Sequence, residues 1–422
     1  MHPRIAARRL SIDANLSTVA DDIAGGDLTR MAVLAFLGRN GPASRAMIAR
    51  GLGLSPATVT QTARQLVRQG VVQPLYFAPS EGGRPGQLLG LVREAGHAVG
   101  VKLAAEHFVL VDVGLDGQVL ATETEMFDAL QTEAAEVLEA LLASLRHFLR
   151  RGRSKLLGVG VCVPGVVARP DVGAVDADVL RWKAVPLGST LRRAFGVPVL
   201  VENDVKALAV AERLFGLGRD HHDFAVLTIG RGVGFASVAD GVLQRGAGGG
   251  AGELAHVVVA TNGPYCACGQ RGCLEAYVGA AGLVAAGRSA GLLKAGQSLH
   301  HLSALADQGE AAAREIFASA AQRLAHAIAP ALAALSPEVL LVAGEGTPSW
   351  PHWDKAFRNS LAKRLPAWMR VPVQVDDWDD TSWARGAAAL VLATAFDANA
   401  PAGGQRHQVL ARLHGDLQRA GG

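Results

Sequence analysis

Three of the four cysteines fall within eight positions, in the run Cys266-Ala267-Cys268-Gly269-Gln270-Arg271-Gly272-Cys273, and His256 stands ten residues upstream. One imidazole and three thiolates at this spacing make a closed four-ligand set, the type that holds a structural zinc ion and leaves no position for water. Such a site organises a loop that has little core of its own. Three buried free thiols are the plain alternative. Cys162 lies alone in an apolar run and reads as core.

A second group of residues carries oxygen chemistry. Glu202-Asn203-Asp204 follows the apolar run 197–201. That is the carboxyl end of an expected strand, where α/β sheets place their ligands. An amide beside a carboxylate suits two neighbouring sugar hydroxyls, and Asp204 would also serve as a general base. Asn-Asp is equally common turn chemistry. Glu253, three residues before His256, and Glu275, two after Cys273, set two further carboxylates beside the cysteine cluster. If His256 gives one ring nitrogen to a metal, its other nitrogen can meet a ligand hydroxyl. Gly230-Arg231-Gly232-Val233-Gly234 follows another strand and is able to cradle phosphate; a glycine loop alone is not specific.

These groups need a scaffold, and the pattern after Glu94 supplies one. Paired strands are expected over 98–103 and 107–113, a third over 118–122, then an amphipathic helix over 136–151. Strands follow at 157–163, 197–201, 223–229 and 339–342, with a long helix over 311–335. Strands alternating with helices imply an α/β protein with a mainly parallel sheet. Hairpin starts near both 98 and 224 imply two lobes of related design.

The stretch 28–93 is different. It holds eight arginines, no lysine and one acid, Glu81, so it carries +7 while the whole chain carries only +3. A basic module on a mildly acidic body is the footprint of a nucleic-acid-binding domain, or else an ordinary solvated face. Met31, Leu34 and Leu37 have helical spacing. Ser44 is an N-cap for a second helix, with Met47, Ile48 and Leu52 expected to face inward; Ser55 with Pro56 starts a third. The third helix turns Thr58, Thr60, Gln61, Arg64 and Arg68 outward and carries no acid, as a helix entering a polyanionic groove requires. Two apolar runs around Ser80-Glu81-Gly82-Gly83 then make a wing that presents Arg84. A small helical domain for protein contacts is the alternative.

Composition bounds the rest. The chain has 422 residues, half of them apolar and 19% charged, which is a globular balance. No charge-free apolar run is long enough for a transmembrane helix, and the start has no apolar block of a secretory signal. A soluble cytoplasmic protein is expected, with no membrane partner.

Together the motifs resemble the ROK family (repressor, open reading frame, kinase) from Leu28 to about Phe396, and within it the repressor branch of xylose and N-acetylglucosamine repressors. The resemblance rests on Ser44-Arg45, Leu54-Ser55-Pro56-Ala57-Thr58-Val59, Gly82-Gly83-Arg84-Pro85, Val163-Pro164-Gly165, Glu202-Asn203-Asp204, Gly252-Glu253-Leu254-Ala255-His256 and the Cys266 to Glu275 block. It implies an N-terminal winged helix-turn-helix domain followed by a two-lobed actin-like, hexokinase-like domain. It implies that Asn203, Asp204, Glu253, His256 and Glu275 line a sugar pocket, that His256, Cys266, Cys268 and Cys273 hold structural zinc, and that the chain forms homodimers or homotetramers. The DNA-contacting set is then Arg45, Ser55, Thr58, Thr60, Gln61, Arg64 and Arg84. Expected divisions are an arm over 1–27, the winged helix over 28–93, a smaller lobe over 94–203 plus 384–398, a larger lobe over 204–383, and a tail over 399–422, with a helix around 408–419 for self-association.

Departures from the family's kinases shape the functional expectation. Those kinases open with Asp-x-Gly-Gly-Thr, whose backbone and aspartate handle nucleotide phosphates and magnesium. Here the stretch reads Lys102-Leu103-Ala104-Ala105-Glu106. A base replaces the acid, both glycines have gained a methyl, and Glu106 would repel a triphosphate. Arg231 stands in the second loop where those kinases usually carry threonine, and would attract phosphate. Ala255 replaces a usual glycine. The expectation is a sugar-responsive transcriptional regulator, a repressor, whose dimer reads an inverted repeat in double-stranded DNA and binds a carbohydrate without phosphorylating it, so that Asp204 is a vestigial base. The alternatives are an active ATP-dependent sugar kinase with a fused DNA-binding domain, and a zinc-held scaffold for a partner protein.

Overall fold

The computed structural model describes residues 25–77, 86–150, 155–376, 379 and 381–415. The first module is built from α1 (Gly25–Asn40), β1 (Ala43–Ser44), α2 (Arg45–Leu52), α3 (Pro56–Arg68), β2 (Val72–Phe77) and β3 (Gln87–Leu91). Caps set the two short helices: Ser44 Oγ accepts from the Met47 N–H at 3.3 Å, Ser55 Oγ accepts from the Thr58 N–H at 3.1 Å, and Gly53 closes α2 in the left-handed region. The strands form a sheet in the order β1-β3-β2. The two-residue β1 has too little sequence to announce itself. Met47 lies outward, 42% exposed, while Ile48 is buried. The wing tip and Arg84 lie outside the described residues.

The body holds two five-stranded sheets. The first is made by β4 (His97–Leu103), β5 (His107–Gly114), β6 (Val119–Met126) and, after α4 (Ala134–Leu149), β7 (Leu156–Val163). A small antiparallel sheet follows, β8 (Val166–Val167), β9 (Val175–Ala177) and β10 (Trp182–Val185), then α5 (Leu187–Phe195) and β11 (Val199–Asn203). The order is β11-β7-β4-β5-β6, with β11, β7 and β4 parallel and β5 and β6 antiparallel. Next comes α6 (Asp204–Phe215), then β12 (Phe224–Ile229), β13 (Val233–Ala239) and β14 (Val242–Leu243). Short helices α7 (Glu275–Val278), α8 (Ala280–Ser289) and α9 (Leu299–Asp307) precede the long α10 (Ala311–Leu335). The chain ends with β15 (Val339–Ala343), α11 (Trp350–Ala362), β16 (Val373–Val375), α12 (Thr381–Phe396) and α13 (Arg406–His414). The second sheet runs β14-β13-β12-β15-β16, again an antiparallel hairpin flanked by parallel strands. The expected repeat of one design is therefore present.

Alternation decides what each face of the first sheet meets. Val99, Val101 and Leu103 pack with α4 and α5 in one hydrophobic cluster, while Ala98 and Cys162 join α12 on the other side. Gly100 and Gly160 lie under α12. A Cβ added there would sit 1.9 Å from the Ala384 carbonyl oxygen or 1.8 Å from that of Ala387, so glycine is what lets this alanine-rich helix lie directly on the strands. The same cluster continues without a break from α12 and α13 into Val33, Leu34, Leu37, Ile48 and Leu66 of the winged helix. Arg39 pairs with Asp220 at 3.5 Å across that junction.

The expected tail helix is α13, displaced to Arg406–His414. Its apolar side is used within the chain: Val409 and Leu413 are fully buried, and Arg412 donates to the Leu156 and Gly196 carbonyls. Among the described residues no helix is long and apolar enough to cross a membrane.

Candidate functional site

The strand expected at 197–201 is found two residues later, which puts Glu202 and Asn203 inside β11 and makes Asp204 the first residue of α6. That shift gives each member of the triplet its own task. Glu202 is fully buried; its carboxylate accepts from Arg245 Nε at 2.5 Å and from the Asn203 N–H at 2.7 Å. Burial raises its pKa despite the Arg245 charge beside it. Arg245 also donates to the Val167 and Ala168 carbonyls, tying the segment after β14 to the end of β8 in the small sheet. Asn203 caps α6: Oδ1 accepts from the Lys206 N–H at 3.2 Å and Nδ2 donates to the Gly165 carbonyl at 3.1 Å. Most of the amide expected to face hydroxyls thus holds the helix start instead.

Asp204 is met by an unexpected partner. Lys102 Nζ donates to Asp204 Oδ2, with both side chains mostly buried, and lies 4.8 Å from the centre of the Trp383 ring. Burial opposes the ammonium, but Asp204 together with its other acidic neighbours, Glu345 among them, outweighs it and holds the Lys102 pKa above its ordinary value. A second lysine, Lys206, is 1% exposed, and its ammonium lies 3.6 Å from Glu253 Oε1. Each of these two carboxylates therefore carries a buried lysine. Lys206 was detectable in the sequence as the lone cation near the start of an apolar helix.

The glycine loop after β12 is occupied by acids. The Arg231 N–H donates to Glu345 Oε1 at 2.8 Å, and the Val233 N–H donates to Glu275 Oε2 at 3.4 Å. The Arg231 guanidinium meets Glu106 at 3.4 Å, joining the β4–β5 turn to this loop. Glu106 and Arg231, expected to act in opposite senses on a phosphate, neutralise each other. Glu345 was missed in the sequence, although it follows β15 at the carboxyl end of a parallel strand, a position that often carries function.

His256 ends a short 3-10 turn that begins just after Glu253, so the two residues share one turn. His256 Nδ1 is 3.5 Å from Cys266 Sγ, and Cys268 Sγ is 3.7 Å from Cys273 Sγ. All four ligand atoms lie within 4.8 Å of one another. A tetrahedral ion with metal–sulfur bonds near 2.3 Å sets sulfurs about 3.8 Å apart and a sulfur and an imidazole nitrogen about 3.5 Å apart. The cluster fits those spacings and can hold a metal. Burial, and then the neighbouring thiols, push Cys273 up to about 12; a dication is what converts such a group to thiolate. With Nδ1 turned to the sulfurs, Nε2 is the ring nitrogen left for another partner. Cys162 is buried core as expected, donating to the Trp383 carbonyl, with its thiol pushed by burial up to about 12.

On the winged helix, the side chains of Ser55, Thr58 and Thr60 turn to their own helix. The Ser55 and Thr58 hydroxyls bond each other at 2.8 Å, and the Thr60 hydroxyl donates to the Pro56 carbonyl. Gln61, Arg64 and Arg68 project, and together with Arg45 they line an open groove between α2, α3 and Pro74 of β2 whose lining contains no acid.

Comparison with known proteins places this geometry. The ROK family profile matches residues 98–394, and a MarR family profile matches residues 27–82. The chain belongs to the ROK family. It is 31% identical over 339 residues to the DNA-binding transcriptional dual regulator NagC of Escherichia coli K12, covering 76% of this chain and 81% of that one. It is 29% identical over 243 residues to the xylose repressor of Bacillus subtilis, covering 57% of this chain and 62% of the repressor's length. A crystal structure of a ROK family transcriptional regulator, a homologue of the E. coli MLC protein, superposes with a TM-score of 0.77 over 92% of this chain and 99% of that one at 22% identity. A ROK family glucokinase from Streptomyces griseus, in complex with glucose and AMPPNP, superposes with a TM-score of 0.62 at 25% identity, over 70% of this chain and 99% of that one. The N-terminal winged helix followed by an actin-like ROK domain is thus the architecture of this chain.

Replacing Lys102 with Met strands a mostly buried carboxylate and is expected to lower unfolding stability by about 2 kcal/mol, with Asp204→Asn added to it recovering most of that loss. Chemical denaturation of the two single variants and the double variant measures this. Strictly additive losses would mean that the two side chains do not depend on each other.

Proposed function

We propose that the chain is a sugar-responsive DNA-binding transcriptional regulator, a repressor, whose ROK domain binds a carbohydrate effector without phosphorylating it. The observation that carries the reading is a combination. An acid-free winged helix face shares one hydrophobic cluster with a kinase-like body whose glycine loop is filled by the chain's own carboxylates. The names of the repressor relatives support it. The head would be residues 28–93, with lobes over 94–203 plus 384–398 and over 204–383.

In this reading Gln61 and Arg64 reach base edges, and Arg45 and Arg84 approach phosphates. A homodimer sets two heads on an inverted repeat. Asp204, Glu253, Glu275, the remaining Asn203 donor and His256 Nε2 receive sugar hydroxyls. His256, Cys266, Cys268 and Cys273 hold a structural zinc ion that orders the loop carrying these groups. The sugar regulates only if it binds two arrangements of the lobes with different affinity.

Retention of Asp204 at the position of a kinase base favours the second reading, an active sugar kinase with a DNA-binding head. Against it, Lys102 occupies Asp204, and two of the loop donors that would meet phosphates, the Arg231 and Val233 N–H groups, already have partners. A coupled assay with ATP and a sugar panel is expected to show no turnover; rates of about 1 per second or more would establish the kinase.

A gel-shift titration of the full chain with DNA from its own upstream region tests the head. The combined Gln61→Ala and Arg64→Ala change is expected to weaken specific binding at least ~10-fold. Unchanged binding would remove α3 as the reading helix. Metal analysis of the purified chain is expected to find one zinc per chain, lost in Cys268→Ser together with part of the thermal stability. A zinc content equal in the two proteins would rule out the cluster as its site.

A further inference from the structure

The cleft at the start of α6 is unusual in its charge. Lys102 sits on Asp204, and Glu345 is near enough to add to the stabilisation of that ammonium. Glu345 in turn accepts from the Arg231 N–H, Arg231 pairs with Glu106, and Glu275 accepts from the Val233 N–H. Four carboxylates are therefore answered by two side-chain cations. The neighbouring pair of Lys206 and Glu253 is balanced. A dication held by three thiolates and one imidazole would add one more net negative charge beside His256.

We propose that the effector is a neutral sugar, and that its phosphorylated or carboxylated counterparts are excluded by the acids at the glycine-loop end of the cleft. The inference rests on the sugar-effector reading above. A phosphate needs free N–H donors or unpaired cations. Here two of the loop's N–H groups, those of Arg231 and Val233, are occupied by Glu345 and Glu275, and both cations are engaged. An entering anion must displace a carboxylate or remain beside one; solvent screens part of that repulsion, since Glu106 and Glu345 are exposed, but several acids act together. A hydroxyl faces no such conflict. It donates to a carboxylate and accepts from the ammonium paired with it, and leaves the local charge unchanged. The ion pairs that obstruct a phosphate are thus ready partners for a polyol. Arg231, which from sequence alone would attract phosphate, does not do so once Glu106 meets it.

Isothermal titration of the full chain with matched pairs tests this: glucose and glucose 6-phosphate, N-acetylglucosamine and its 6-phosphate, glucose and glucuronate, with xylose as a further neutral probe. At least one neutral sugar is expected to bind, with its anionic partner at least ~30-fold weaker. The combined Glu106→Gln and Glu345→Gln change is expected to narrow that gap about tenfold by strengthening phosphate binding, while the affinity for the neutral sugar reports that the variant is folded. Glu106→Gln alone alters an exposed side chain and serves if the double variant does not fold. A phosphate ester that binds more tightly than its neutral partner overturns the inference and leaves the sugar-effector reading standing. A gap unchanged in the glutamine variants also overturns it, since the acids would not be its cause. No binding from any pair by a chain that still binds DNA overturns the sugar-effector reading itself.

Discussion

The packing of α12 against bare strand backbone is the constraint on which the other features depend. The helix is 16 residues long and so spans about 24 Å. From Ala384 to Phe396 nearly every residue is buried, and glycines at 100 and 160 let it rest on β4 and β7. Its first turn brings Trp383 against Lys102, and its last turn brings Phe396 against α1 of the winged helix. One rigid element thus touches both the cleft and the winged-helix module. A larger residue at either glycine would lift the helix and disturb both ends together, because close-packed interiors yield little.

The cleft shows how a few side chains set the local charge on a family scaffold. Lys102 neutralises Asp204, Lys206 reaches Glu253, and Glu345 and Glu275 take the loop N–H groups. None of these changes the backbone design. They set these side chains and two loop N–H groups into internal pairs. Such pairs contribute little net stability, since desolvation offsets their attraction. Both side-chain cations at this end of the cleft are engaged, while the acids outnumber them.

The residues that sequence reading located and those it missed differ in kind. The capped helices of the winged head, the strand–hairpin pattern after 98 and 224, and the Cys266 to Cys273 set were all legible, because caps, alternation and ligand spacing act over a few residues. What the sequence did not show is that Ser55, Thr58, Thr60 and Asn203 also serve the chain locally, their hydroxyls and amide bonding within their own helix starts and to nearby backbone. The tail helix was legible as a helix, but its packing on the body was not. Only the position of Leu156 and Gly196 in the folded body shows where its arginine is bound.

By itself the sequence determined the elements, the four-ligand metal set, the basic head and the replacement of an aspartate by Lys102, since these are matters of local spacing and composition. The tertiary structure alone decided which charges meet. Lys102 and Asp204 are 102 positions apart, Arg231 and Glu106 are 125 apart, and Glu202 and Arg245 are 43 apart. Ion pairing falls off with distance in space, not along the chain, so no run of residues contains that information until the sheets and α12 have brought the partners together.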